Sequence, residues 1–171
     1  RQPKWQLPLK TSLIHLTNLK KKKATFSFSN KERENWHFFP GSFVQPNGRM
    51  GLSVKEMTSP QRTLAQTLLS PALSHRSQIE ASPVILLENI LYEKEAREMR
   101  NPDHYHYTIF GNPDKAGTWG WRFEGHHLSL NFSLVNGRIF SVTPSFWGAS
   151  PAKVTEGKHA GLRVLSDEET K

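Results

Sequence analysis

Residues 118–133 read Thr118-Trp-Gly-Trp-Arg-Phe-Glu-Gly-His-His-Leu-Ser-Leu-Asn-Phe-Ser133. Large apolar side chains fall first at odd positions, Trp119, Trp121 and Phe123. After Gly125 they fall at even positions, Leu128, Leu130 and Phe132. Side chains of an extended strand alternate between its two faces. One continuous strand therefore keeps a single apolar face only if an extra residue is taken up beside Gly125-His126. A β-bulge takes up such a residue, and glycine is the usual occupant. The same shift gathers Arg122, Glu124, His127, Ser129 and Asn131 on the other face. Those groups bind metals, move protons or hold anions.

Working outward, Asn136-Gly137 is a strong two-residue turn signal. It predicts a hairpin of Trp119 to Val135 with Arg138 to Thr143, ended by Thr143-Pro144. Phe146 to Ala152 reads as a loop of small and aromatic residues. Upstream, His104 to Phe110 is a strand closed by Gly111-Asn112-Pro113. Two helices precede it. Ser59 caps the first, with Pro60 at its first position and Gln61 to Leu69 as its body. The second runs from Ser77 to Met99, with Ile79, Ile85, Leu86, Ile90 and Leu91 as its apolar side. Pro83 should kink it or mark a later start. Glu88 falls within that apolar stretch, where a glutamate reaches solvent, meets a basic neighbour or serves a site.

Nearer the start, Leu9 to Lys22 reads as a helix and Ala24 to Ser29 alternates as a strand. Ser29 or Asn30 caps a short turn through Glu32-Arg33-Glu34. An aromatic cluster follows at Trp36 to Pro40, then a loop from Gly41 to Gly48. A capped helix opens at Ser166 close to the last residue. The architecture expected is α+β, with N-terminal helices packed on an antiparallel sheet formed mainly by the C-terminal half.

The 171 residues suit one domain with a real core. Aromatic content of 11 % argues against disorder. With no cysteine, disulfides, thiolate nucleophiles and zinc–thiolate sites are excluded. Any metal must therefore be held by histidine and carboxylate. No apolar run reaches the roughly 18 residues of a membrane span. Of the net charge of +8, four positives are the run Lys20 to Lys23. That run fits a solvated helix end, where cations oppose the macrodipole. Without interleaved aromatics it is a thin nucleic-acid footprint, so nucleic acid is not an expected partner. A small-molecule ligand is; oligomeric state and compartment are left open.

The chain resembles the domain-of-unknown-function family 3500. The matching pieces are Glu32 to Pro40, Arg49-Met-Gly-Leu52, Gln61-Arg62, Asn101-Pro102 and Ile109 to Pro113. Above all there is Trp119-Gly-Trp-Arg-Phe-Glu-Gly-His-His-Leu-Ser-Leu-Asn-Phe132. Thr143-Pro144, Gly148 to Ala152 and Gly161 to Leu165 complete the set. The resemblance carries no assigned activity. It implies a longer protein whose second half holds further histidines, including a His-x-His segment. Residues 1–171 are then a single domain forming the N-terminal part of that length. His104-Tyr105-His106 departs from the family pattern.

Neutral imidazole is the commonest metal ligand, and carboxylate joins it on zinc, iron and manganese. Neighbouring histidines on a regular strand face opposite ways, so His126 and His127 meet one ion only if the bulge turns them together. The expected ligands of a divalent transition metal are His127, His126 and Glu124, joined by His37 or a histidine from beyond these residues. Glu124 and His127 form the expected acid–base pair, with Arg122 orienting an anionic substrate. Trp119, Trp121 and Asn131 are candidates for binding a ligand or cofactor, the tryptophans lining a pocket with Trp147 or forming core. His104 and His106, two residues apart, are a second possible ligand pair. Ser129 lacks a Gly-x-Ser-x-Gly elbow. Two functions follow. One is a metal-dependent oxidoreductase or hydrolase acting on a small molecule. The other is a non-enzymatic ligand-binding module with a tryptophan-lined pocket.

Overall fold

The computed structural model describes residues 16–44, 48–72, 75–113 and 117–166, with the backbone alone for 70–72 and 75–82. Its elements in chain order are α1 (Asn18–Ala24), β1 (Thr25–Phe26), β2 (Leu52–Ser53), α2 (Ser59–Ala72) and α3 (His75–Glu95). Then come β3 (His106–Phe110), β4 (Thr118–Gly125), β5 (Leu128–Val135), β6 (Arg138–Ser141) and β7 (Ser145–Trp147). Short 3-10 turns join them. The fold is α+β, as the element order implied. Among the described residues no helix is long and apolar enough to cross a membrane.

The seven strands form one sheet with β3, β4 and β5 at its centre. β1 and β2 share one side of β3, and β6 and β7 share the far side of β5. Only the β1–β3 pair is parallel. Trp121 pairs with Phe132 and Ile109, and Phe123 with Leu130 and Tyr107, so their side chains share one face. Trp119 is wholly enclosed, and the Trp121 and Phe132 rings stack at 4.2 Å. Ala65 and Leu68 of α2 and Val84 of α3 pack into the same cluster. Burying one side chain of this size contributes on the order of 2 kcal/mol, so this face anchors the helices. Trp119 and Trp121 are thus core residues.

The expected bulge is not there. Glu124 pairs with Ser129 and Gly125 with Leu128, and His126-His127 is the two-residue turn between them. What looked like one long strand is itself a hairpin. Chain reversal at an even-length loop moves the apolar set from odd to even positions, which produces the same pattern as a bulge. The second hairpin turn, Asn136-Gly137, is as expected, with φ of 48° and 76°. Gly120 allows the close approach expected of it: a Cβ there would lie 2.6 Å from the Phe132 carbonyl oxygen.

Other boundaries move. α3 is continuous through Pro83, so no late start occurs. Its buried stripe is Val84, Leu87, Glu88 and Leu91, whereas Leu86 is exposed. Residues 84–87 are apolar all round, so periodicity alone did not fix the face. α3 stops at Glu95 because Ala96 takes a left-handed φ of 51°. A 3-10 turn over Glu98–Arg100 then folds the chain back. The first strand of the notional loop after Pro144 is real: Ser145–Trp147 pairs with β5. His104 belongs to a 3-10 turn and only His106 to the strand, so the two do not share a strand face. Leu9 to Leu16 and the helix from Ser166 fall largely outside the described residues.

Candidate metal centre

The polar face of β4 and β5 forms as expected: Arg122 lies opposite Asn131, and Glu124 opposite Ser129. It is not a solvent face. Arg122 and Glu124 are enclosed, covered by Glu32, His37 and Arg49. Glu124 stands 3.1 Å from Nη1 of Arg49 and 3.1 Å from Nε of Arg122. It also accepts from the His37 backbone N–H at 3.0 Å and the Ser129 hydroxyl at 3.2 Å. Arg122 spends its outer nitrogens on Glu32, at 2.9 Å to the carbonyl and 2.5 Å to the carboxylate. Asn131 donates to Ser129 Oγ and to the Pro144 carbonyl. The His37 ring turns to Asn35 at 2.7 Å. Two arginines and two glutamates thus balance in a closed buried network. Burial pulls Arg49 below the usual arginine range, against the raising effect of Glu124.

The histidine pair sits beyond this network, at the end of the sheet. The turn is tied on three sides. Tyr105 donates its hydroxyl to the His126 carbonyl at 2.6 Å. The His127 N–H donates to the Phe38 carbonyl at 2.9 Å, and the His127 carbonyl accepts from Gly148 at 2.8 Å. Gly125 is required because the Tyr105 ring lies across it, 2.5 Å from where a Cβ would stand. His127 is left-handed, with φ of 64°. These constraints stack the two imidazoles with centroids 3.7 Å apart.

Both rings aim Nδ1 at one carboxylate. His126 Nδ1 is 3.0 Å from Oε2 of Glu88, and His127 Nδ1 is 3.0 Å from Oε1. Among the described residues, Glu88, His126 and His127 are the group of three His, Asp or Glu side chains whose donor atoms all lie within 4.8 Å of one another. Glu88 is buried on α3, while the rings are partly open. Burial pushes Glu88 up, but the two histidines outweigh it and hold its carboxyl below the usual range. Ligands about 2.1 Å from one ion lie roughly 3.0–3.4 Å from each other. The two Glu88–imidazole contacts use different carboxylate oxygens, and the three side chains lie close enough that they could hold one ion.

Arg100 completes the cluster. Its Nη1 is 3.3 Å from Glu88 Oε1 and 3.2 Å from His126 Nδ1, and its Nε is 3.4 Å from Glu95. Of the ligands expected from sequence, His126 and His127 come together, and Glu124 and His37 stay outside the group. The carboxylate comes from α3 instead. Its signal in the sequence was a lone acid in the apolar run Val84 to Leu91; Arg100 carried none. His104 meets Glu98 on the surface, and His106 is half-buried within the electrostatic reach of Arg49.

A family described as a protein of unknown function, DUF3500, matches residues 9–171. The chain belongs to the DUF3500 family. No curated protein and no solved structure matched the chain. The site of this DUF3500 protein is accordingly read from its own atoms.

Proposed function

We propose that this DUF3500 protein is a metal-dependent enzyme acting on a small molecule, with Glu88, His126 and His127 as the ligands of one divalent transition metal. The observation that carries the reading is the convergence of two imidazole Nδ1 atoms on one buried carboxylate at 3.0 Å each. Two imidazoles and a carboxylate are the donor set of non-haem iron(II) oxygenases, with positions left open for substrate. The same set holds zinc in hydrolases. The reaction class is therefore oxidoreductase or hydrolase, and the identity of the ion divides them. Metal binding needs the Nδ1 lone pairs, so the ring protons move to Nε2 on loading.

Glu124 and Arg122 take a positioning role in this reading. Their network holds the His37 to Phe39 backbone, and the Phe38 carbonyl in turn receives the His127 N–H. The tryptophan-lined module gains no support, since Trp119 and Trp121 belong to the core. Elemental analysis of the purified full chain tests the proposal. One ion per chain, lost in a folded His126→Ala variant, supports it. A chain that takes up neither iron(II) nor zinc makes the cluster a structural clasp and ends it.

A further inference from the structure

Resting on that metal reading, we propose that Arg100 holds the substrate, and that the substrate presents a small oxyanion, a carboxylate or a phosphate, beside the metal. The sequence had given this role to Arg122. Arg122 is fully enclosed, and Glu32 and Glu124 take up its nitrogens. Arg100 is the guanidinium at the centre itself, with its side chain 16 % exposed.

Arg100 and Glu88 make opposite demands on His126 Nδ1. A guanidinium only donates hydrogen bonds, and an ionised carboxylate only accepts them. His126 Nδ1 lies 3.0 Å from a Glu88 oxygen and 3.2 Å from Arg100 Nη1. With a proton it satisfies Glu88 and opposes Arg100; with a lone pair it does the reverse. A divalent ion on Nδ1 displaces the His126 contact of Nη1, whereas a ligated Glu88 still accepts through its remaining lone pairs. Arg100 then keeps Glu95 at Nε, which holds it beside the ion. Nη1 keeps Glu88, and Nη2 takes part in none of these three contacts. The N–H donors of Nη2 next to a metal suit one oxygen of a planar or tetrahedral oxyanion.

Charge points the same way. The two carboxylates of Glu88 and Glu95 and the guanidinium of Arg100 surround a divalent ion with neutral imidazoles. One positive charge is left over. An anionic ligand offsets that excess in a partly buried site, where an unmatched charge is costly.

The test uses the full chain loaded with cobalt(II), whose visible absorption reports coordination directly. Acetate and methyl phosphate are titrated into wild type, Arg100→Gln and Arg100→Lys, with circular dichroism confirming the fold of each. Wild type should change its cobalt spectrum on adding one or both anions, and which one responds names the oxyanion. Arg100→Gln should weaken that anion by about tenfold or more while taking up cobalt at least as well; Arg100→Lys should fall between. Equal anion affinity in Arg100→Gln overturns the role of Arg100 and leaves the metal reading standing. Loss of cobalt uptake in a folded Arg100→Gln also overturns it, because Arg100 then supports the ligands. A wild-type chain that takes up no cobalt removes both readings.

Discussion

His126 Nδ1 and Glu88 Oε2 stand 3.0 Å apart although 38 residues separate them in the chain. This pair joins the end of the sheet to α3. Glu88→Gln keeps the shape of the side chain but removes its charge, leaving Arg100 poorly matched. Loss of a buried charge whose partners, Arg100 and the two imidazoles, are partly exposed costs about 1–3 kcal/mol. The urea midpoint should fall accordingly, with the slope unchanged. An unaltered midpoint would show that the contact contributes nothing to folding.

Glu124 sits between Arg49 and Arg122, each 3.1 Å away. Glu124→Gln leaves two buried guanidiniums facing a neutral amide. Breaking a buried pair in this way costs about 3–5 kcal/mol. Equilibrium denaturation should therefore place Glu124→Gln well below Glu88→Gln. Similar stabilities for the two variants would contradict a closed ionic layer covered by Glu32, His37 and Arg49.

His127 holds a φ of 64°, which costs an L-residue about 1 kcal/mol and glycine little. His127→Gly should lose the ligand yet fold at least as stably as His127→Ala, by about 0.5–1 kcal/mol. Thermal melts of the two metal-free variants decide the point. If alanine proves the more stable, the turn is not left-handed at this position.

His106 is held near pKa 4 by burial first, then by Arg49 and Lys23. Its unfolded value is about 6.5. Between these values the unfolded chain binds a proton that the folded chain refuses, so stability rises with pH. The contribution is fully present above about pH 6.5 and is lost as pH falls to about 4. The loss is on the order of 3 kcal/mol at most. Urea midpoints at neutral pH and near pH 4.5 should differ, and His106→Gln should flatten that difference. A wild-type profile level across this window would contradict it.

Much of the fold was legible because alternation and turn chemistry are local. Asn136-Gly137 specified its hairpin, and the apolar and polar faces of β4 and β5 were assigned correctly except for His127, which lies in the turn between them. The turn at His126-His127 was misread because a bulge and a two-residue reversal shift the apolar phase alike. Histidine also gives no turn signal of the kind glycine or asparagine gives. The site was half legible. The imidazole pair stands adjacent in the chain, but its carboxylate arrives from α3 by tertiary packing. Glu124 was the nearest acid in sequence, and the covering segment supplied the arginine that claims it, a contact no local pattern encodes.

The central claim is the ligand set, and equilibrium dialysis of zinc(II) against purified full-length variants tests it most directly. Wild type should bind one ion per chain. His126→Ala, His127→Gly and Glu88→Gln should each weaken binding by about 10–100-fold or more, while His37→Ala should bind as wild type does. Retained affinity in Glu88→Gln together with loss in His37→Ala would contradict the account, because the ion would then lie on the other side of the histidine turn.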